Sequence, residues 1–349
     1  MRQIFTASIC VLMLGALVSP PTAIASGHLQ SATDPTALSG EVLGSSHFSP
    51  VVSNLDQSIE FYQTVLELTV APAKQPGPRP WDTQQSLRNL QGYPDTLIRY
   101  AVASIPGERW GVELIEFQDG NRRLVRPRVQ DPGATTLVLL VRDLDASFAR
   151  VKQAGARIIT SGGGPVAIDQ GTRAVLFTDP DGHFIELRQP VAVPETTAPP
   201  SANVIGARVR ITVESMDSTL HLYRDLFGLQ FQATSAGVDE AFARLTGVAG
   251  ARFRRSAIAA PMSLEFLEVQ GVERTPMRAR ILDPGSTKYP LRVRDLDTAI
   301  EKLKSTGAVV VSAGGEPVIV RNVKYAIVRD LNNVFLIMTQ VPPAPAHGP

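Results

Sequence analysis

The apolar and polar positions of this chain repeat one phrase four times. A short apolar strand is followed by Leu or Met, then Asp, and then by apolar residues at helical spacing. The four phrases are Val52–Asp56, Val141–Asp145, Val213–Asp217 and Val293–Asp297. Their closing aspartates are 89, 72 and 80 residues apart, so the repeat predicts four structural units of similar size.

Each phrase predicts a strand and an amphipathic helix. In the first phrase Asn54 is a favourable N-cap, and Leu55, Ile59 and Tyr62 fall on one helical face. β-Branched runs such as 309–311 and the turn at 179–182 then predict further strands and a hairpin. The unit is therefore one strand, one helix and about three more strands.

The units also form two copies of a pair. Asp131-Pro132-Gly133 recurs as Asp283-Pro284-Gly285 at an offset of 152 residues, which indicates an internal duplication. A stretch rich in Pro, Thr and Ala separates the copies and predicts a linker. The predicted segments are a signal peptide (1–25), a flexible leader (26–42), domain one (43–190), the linker (191–203), domain two (204–341) and a disordered tail (342–349).

The N-terminus predicts export. Arg2 precedes an apolar stretch at 4–18, and small residues follow that permit cleavage after Ala25. The apolar stretch is shorter than the ~20 residues of a membrane span, which favours cleavage over an uncleaved anchor. Cys10 is the only cysteine, so the mature chain has no thiolate, disulfide or cysteine-metal chemistry. A secreted or periplasmic location follows, with no membrane contact beyond the signal peptide.

Composition narrows the class of partner. The chain has 349 residues, is 44% hydrophobic and has a formal net charge of +1, which is typical of globular domains with full cores. A balanced charge without Lys/Arg runs gives no basis for nucleic-acid or membrane-surface binding. We therefore predict a small-molecule ligand or substrate as the partner of a monomer or homodimer.

These elements resemble the vicinal oxygen chelate (VOC) superfamily, which includes glyoxalase I, bleomycin-resistance proteins and extradiol dioxygenases. The resemblance is carried by 47–66, by 111–116 and by the Asp-Pro-Asp-Gly hairpin with its closing strand at 179–187. It covers nearly all of both domains. It implies an α+β fold of two tandem VOC domains, each made of two βαβββ units that form a half-open curved sheet.

The resemblance also implies a metal site, because ligands in this superfamily come from the first and last strands of each unit. Carried over residue by residue, domain one supplies His47, Glu113 and Glu186, with Thr136 at the fourth position. One nitrogen and two carboxylates suit Zn²⁺, Mn²⁺, Fe²⁺ or Ni²⁺. Such an ion stabilises an oxyanion, and Glu186 or Glu113 would then be the catalytic base.

Domain two has a degenerate set. Its equivalent positions are Arg208, Glu265, Lys288 and Ile337. Two cationic groups and an aliphatic one disfavour a divalent ion, and we expect Glu265 to pair with Arg208 or Lys288. Domain two is therefore predicted to brace domain one or to bind a ligand without metal.

Three functions remain open. The first is a divalent-metal lyase or isomerase of glyoxalase type, acting through domain one on a small oxygen-bearing molecule. The second is a non-catalytic protein that binds a drug or another aromatic compound, as resistance proteins do. The third is an extradiol dioxygenase, which would need a second histidine beside His47.

Two structural questions bear on these functions: how the units pair, and which side chains line the cup. The sequence leaves open whether each sheet forms within one domain or by exchange between domains, and only pairing within a domain collects all three metal ligands. Tyr100, Trp81 and Trp110 are candidates to line a substrate cup or to fill the core. His183 follows a hairpin turn and is predicted to be exposed.

Overall fold

The computed structural model describes residues 42–71, 79–258 and 262–341. The predicted signal peptide, nearly all of the leader and the tail at 342–349 lie outside these residues, and the predictions about them stay predictions. Within the described ranges, no helix is long and apolar enough to cross a membrane.

The described residues form four βαβββ units, which confirms the predicted α+β fold class. Strand β1 (Val42–Gly44) precedes unit one, which contains β2 (His47–Pro50), α1 (Leu55–Thr64), β3 (Thr69–Ala71), α2 (Gln85–Leu90), β4 (Ile98–Ser104) and β5 (Gly111–Phe117). Unit two contains β6 (Thr135–Val141), α3 (Leu144–Gln153), β7 (Val166–Ala167), β8 (Arg173–Thr178) and β9 (Phe184–Gln189). Unit three contains β10 (Val204–Val213), α4 (Met216–Leu220), β11 (Ser235–Val238), α5 (Glu240–Thr246), β12 (Arg252–Ala257) and β13 (Leu264–Gln270). Unit four contains β14 (Thr287–Val293), α6 (Leu296–Ser305), β15 (Val309–Val310), β16 (Val318–Val320), β17 (Val323–Arg329) and β18 (Phe335–Gln340).

The recurring phrase marks the start of each helix, where its residues form the N-cap. The N-cap side chains of Asn54, Asp143, Ser215 and Asp295 accept hydrogen bonds from backbone N–H groups of the first turn. A side chain from the closing strand of the same unit binds the first helical N–H: Glu116 to Leu55, Gln189 to Leu144, Glu268 to Met216 and Gln340 to Leu296. Each helix is thus fixed to its own unit at both the cap and the sheet.

The predicted helices form with one change. In unit three, α4 ends at Leu220 and the chain continues as a π-helical segment from His221 to Leu226. Tyr223 in this segment is fully buried, as the equivalent Tyr62 is in α1, and its ring lies 4.8 Å from that of Phe266.

The units pair across the two halves of the chain. One sheet has the order β15-β17-β18-β14-β2-β5-β4-β3 and combines units one and four. The other has the order β11-β12-β13-β10-β6-β9-β8-β7 and combines units two and three. The junctions are antiparallel, with Lys288 opposite Ser49 in the first sheet and Arg210 opposite Thr136 in the second. Of the two pairings that the sequence left open, exchange between the halves is therefore the one observed.

The two faces of each sheet have different roles. On the face covered by the helices, Phe48, Val112, Leu137 and Val209 belong to one hydrophobic core shared by all four units. Because side chains alternate along a strand, the neighbours of these residues point to the opposite face. We call that opposite face cup A in the sheet of units one and four, and cup B in the sheet of units two and three.

Candidate functional site

The exchange of units separates the three predicted metal ligands. His47 on β2 and Glu113 on β5 belong to cup A, whereas Glu186 on β9 belongs to cup B. Thr136, predicted beside them, also belongs to cup B. Across the described ranges, no group of three or more His, Cys, Asp or Glu side chains is arranged to hold a metal ion. The three predicted metal ligands therefore do not converge on one site.

In cup B an arginine occupies the place between the two carboxylates. Arg210 Nη1 donates to Glu186 Oε2 at 2.7 Å, and Arg210 Nε donates to Glu265 Oε1 at 2.8 Å. Arg188 Nε donates to the other oxygen of Glu186 at 2.7 Å. The side chains of Arg210 and Glu186 are 1% and 0% exposed, so these bonds are formed away from water.

Electrostatics hold this cluster in its charged form. Burial alone would raise the pKa of Glu265, but Arg210 and Arg188 outweigh burial and lower this pKa to about 2. Burial also opposes ionisation of Glu186, and Arg188 with Arg210 again lowers its pKa. The two carboxylates keep Arg210 protonated by raising its pKa despite burial. The donor set therefore does not fit a divalent ion, because the carboxylates already bind a fixed cation.

Cup A contains a different fixed cation. Lys288 is fully buried, and its Nζ donates to Gln91 Oε1 at 3.1 Å and lies 5.1 Å from the ring centre of Phe117. Burial lowers the pKa of Lys288 to about 8, and the charge of Glu113 only partly opposes this. Ser49 Oγ donates to Glu113 Oε2 at 2.9 Å and orients that carboxylate. An ammonium group in this cup disfavours a dication beside His47 and Glu113.

Part of cup A is partly accessible to solvent, and we call it the open part of the cup. On this face the side chains of His47, Tyr100, Glu113, Tyr325 and Ile337 are all half-buried. Burial and the charge of Glu113 raise the pKa values of Tyr100 and Tyr325, so both remain neutral phenols at physiological pH. The open part therefore contains two phenol rings, the Glu113 carboxylate and the His47 imidazole, and the charge of Arg321 acts on both phenols.

Short helices fill the remainder of each cup. In cup A, Leu87 and Leu90 of α2 pack with Tyr93 against the strands. In cup B, Phe242 and Leu245 of α5 fill the equivalent space. The difference lies in the polar groups, since the ion cluster of cup B is buried whereas Glu113 in cup A stays half-exposed.

Comparison with known proteins decides the family. Residues 44–187 match the model of the Glyoxalase/Bleomycin resistance protein/Dioxygenase superfamily. Over these residues the chain matches this superfamily. A mutant of glyoxalase I from Zea mays is similar in structure, with a TM-score of 0.56, 16% identity, and coverage of 85% of this chain and 92% of that one. A putative dioxygenase from Bacillus subtilis is similar at a TM-score of 0.55, 16% identity and 88% coverage of each chain. A comparison with curated proteins gives no match.

Both structural likenesses show the fold alone, since both identities are low. The confirmed features are the superfamily match over residues 44–187 and the curved α+β architecture.

Several residues of the VOC site differ from their sequence-based predictions. Glu265 pairs mainly with Arg210, while Arg208 lies 3.9 Å away from it and Lys288 is in the other cup. Arg210 was missed because the repeat alignment pointed to Arg208, two residues earlier on the same face of β10. The sequence nevertheless contained this information, because side chains at positions i and i+2 of a strand share a face, and Arg210 follows Arg208 by two residues.

His183 and the three aromatic candidates lie in different environments. His183 is 5% exposed, and its Nε2–H donates to the backbone oxygen of Val51 at 2.9 Å, so the prediction of exposure was wrong. The turn that carries it packs against unit one, which the local sequence does not reveal. Tyr100 lies on the cup A face of β4 and packs against a cluster that includes Ile115 and Phe117. Trp110 packs against the shared core, and Trp81 lies under the guanidinium of Arg99 at 4.9 Å.

Proposed function

We propose that this VOC protein binds a small oxygen-bearing aromatic molecule in the open part of cup A without a divalent metal. In this role it is a binding or resistance protein. The observation that carries the proposal is the fixed cation in each cup, Arg210 in cup B and Lys288 in cup A. These side chains supply positive charge where metal-dependent relatives of this fold would need an ion.

The open part of cup A favours an aromatic ligand. Tyr100 and Tyr325 provide ring faces, and the half-buried Ile337 adds apolar surface between the polar groups. Glu113, oriented by Ser49, is an acceptor for a ligand hydroxyl. A small number of polar groups among apolar and aromatic walls is the usual character of a small-molecule site.

The divalent-metal lyase or isomerase is disfavoured by the same geometry. Cup A offers only His47 and Glu113 of the three predicted ligands, and Glu186 is bound by two arginines in cup B. A dioxygenase triad would need a second histidine, and His183 is directed at the backbone oxygen of Val51.

Binding of para-hydroxybenzyl alcohol tests the proposal. We expect calorimetry to detect binding to protein treated with EDTA, with an unchanged Kd after addition of Zn²⁺. Ile337→Arg is expected to weaken binding by roughly tenfold or more, because it places a charged side chain in the open part of the cup. Tyr325→Ala is the second variant, in case the arginine prevents folding.

The matched control is Ile319→Arg, because Ile319 is 56% exposed on β16 and outside the proposed site. It should leave the Kd unchanged. The proposal is overturned if the alcohol does not bind, or if both isoleucine variants bind it as the wild type does. Stoichiometric metal in the purified protein that disappears in His47→Ala would restore the metal enzyme instead.

We also propose that the protein is exported, on the basis of the apolar stretch and small residues before Ser26. Expression of the full chain in a Gram-negative host is expected to yield a periplasmic protein that begins at Ser26. Mass spectrometry of the intact protein measures this. Ala25→Glu should retain the N-terminal segment, because a charged residue at the cleavage site blocks processing. Full-length wild-type protein confined to the cytosol would contradict export.

A further inference from the structure

We propose that Lys288 is a reactive amine that forms a Schiff base with a carbonyl compound bound in cup A. This inference rests on the proposed function, since the carbonyl compound must first enter the cup. It names the ligand class more closely, as an aromatic aldehyde or ketone.

The surroundings of Lys288 distinguish it from the other lysines. The chain has six lysines, and Lys288 is the one that is fully buried among those described. It makes no ion pair with any described carboxylate, and its polar partner is the carboxamide of Gln91. By contrast, Lys152 and Lys304 are exposed on helices, and Lys324 pairs with Asp297. A buried amine without a carboxylate partner is costly for the fold, and such groups are concentrated at functional sites.

The environment also favours the neutral amine, which is the nucleophilic form. A pKa of about 8 leaves about one-tenth of Lys288 unprotonated at pH 7. An exposed lysine with a pKa near 10.4 is unprotonated in only about one molecule in a few thousand. The apolar surroundings and Phe117 produce this difference, as in enzymes that use a desolvated lysine for imine formation.

The groups for the proton transfers are in the same cup. The amine nitrogen attacks the carbonyl carbon, and a C–N bond forms while the C=O double bond becomes a C–OH group. Loss of the nitrogen proton and protonation of the hydroxyl then release one water and leave the C=N bond, with no change of oxidation state. Glu113 can accept the first proton, and the neutral phenols of Tyr100 and Tyr325 can donate the second.

Access to the amine passes Gln91. This residue directly follows α2, a helix of six residues that starts without a side-chain cap at Gln84. An incoming carbonyl oxygen replaces Gln91 Oε1 as the acceptor for the Lys288 amine. Gln91→Ala should therefore speed the reaction, because it removes the group that covers Nζ.

The experiment traps the imine with sodium cyanoborohydride. The wild-type protein is incubated at pH 7 with para-hydroxybenzaldehyde, and peptide mass spectrometry locates the resulting benzyl group. We expect labelling of Lys288 roughly tenfold or more faster than that of Lys304, in line with the larger neutral fraction. Lys288→Met should abolish the fast labelling, and the matched surface variant Lys304→Met should retain it.

The alcohol used to test binding separates the outcomes, because it has the same ring but no carbonyl. If the alcohol binds in cup A and Lys288 is labelled no faster than Lys304, the Schiff-base inference is overturned and the proposed function stands. If the alcohol does not bind, the proposed function fails and this inference fails with it. Fast labelling at Lys288 that is lost in Ile337→Arg and retained in Ile319→Arg supports both.

Discussion

Replacement of Arg210 by methionine is expected to lower the free energy of unfolding by about 3–5 kcal/mol at pH 7. Arg210 is the direct partner of both Glu186 and Glu265, and all three side chains lie almost wholly out of water. Methionine preserves much of the volume but leaves buried negative charge without its principal partner. Urea unfolding at pH 7 measures the change.

The matched control is Arg255→Met. The guanidinium of Arg255 lies over the same Phe242 ring, at 4.4 Å against 5.1 Å for Arg210. Its acidic partners, however, are the half-exposed Asp169 and Asp239, so its loss should cost only about 1 kcal/mol. Equal effects of the two substitutions would show that the stacking on Phe242, and not the buried ion cluster, is what matters.

The effect of Arg210→Met on stability is expected to depend on pH. The pKa of Glu265 is lowered in the folded state, so its contribution to stability is present above the unfolded pKa near 4.3 and is lost as the pH falls towards about 2. Glu186 acts in the same direction. The difference between wild type and Arg210→Met should therefore shrink between pH 7 and pH 3. A difference that grows on acidification would contradict the proposed cluster.

Much of the fold could be predicted because its determinants are local. Asn54 and Asp295 cap helices from positions beside the apolar face, and the Asp179 turn closes a hairpin through bonds among neighbouring residues. Such contacts depend on a few consecutive residues, so they can be read from spacing alone.

The pairing of units could not be predicted, because both pairings satisfy the same local pattern. Ser49 on β2 and Arg210 on β10 occupy equivalent places in the duplicated halves. Each lies on a strand whose side chains alternate between two faces and whose edge can pair with an antiparallel neighbour. The choice is made by contacts between residues far apart in the chain, such as Arg210 with Thr136 across β10 and β6. Local alternation contains no information about which of these partners is used.

The site was misread for the same reason. The sequence assigned Arg208 and Lys288 to one degenerate cup and the three metal ligands to the other. Exchange instead places Lys288 with Glu113 in cup A and the arginines with Glu186 in cup B. Each cup therefore has acidic and cationic groups together, although neither half of the sequence shows this by itself.

Lys288→Met is expected to raise the free energy of unfolding by about 2 kcal/mol at pH 7. A pKa of about 8 in the fold, against about 10.4 when exposed, corresponds to a cost of about 3 kcal/mol for keeping the amine protonated. The substitution removes this cost, but it leaves Gln91 Oε1 without its donor, which restores about 1 kcal/mol of destabilisation. Chemical unfolding of both proteins at pH 7 measures the difference.

The stabilisation by Lys288→Met is expected to depend on pH, because the pKa of Lys288 differs between the folded and unfolded states. As the pH rises from about 8 to about 10.4, the folded protein has released the Lys288 proton while the unfolded chain still binds it, so wild-type stability rises relative to the variant. The advantage of Lys288→Met should thus be largest at pH 7 and disappear above pH 10, and Lys304→Met should show no such trend. Destabilisation by Lys288→Met at pH 7 would mean that the amine is a structural partner in cup A. Stabilisation together with loss of imine trapping is the combination expected of a lysine kept for its chemistry at the expense of stability.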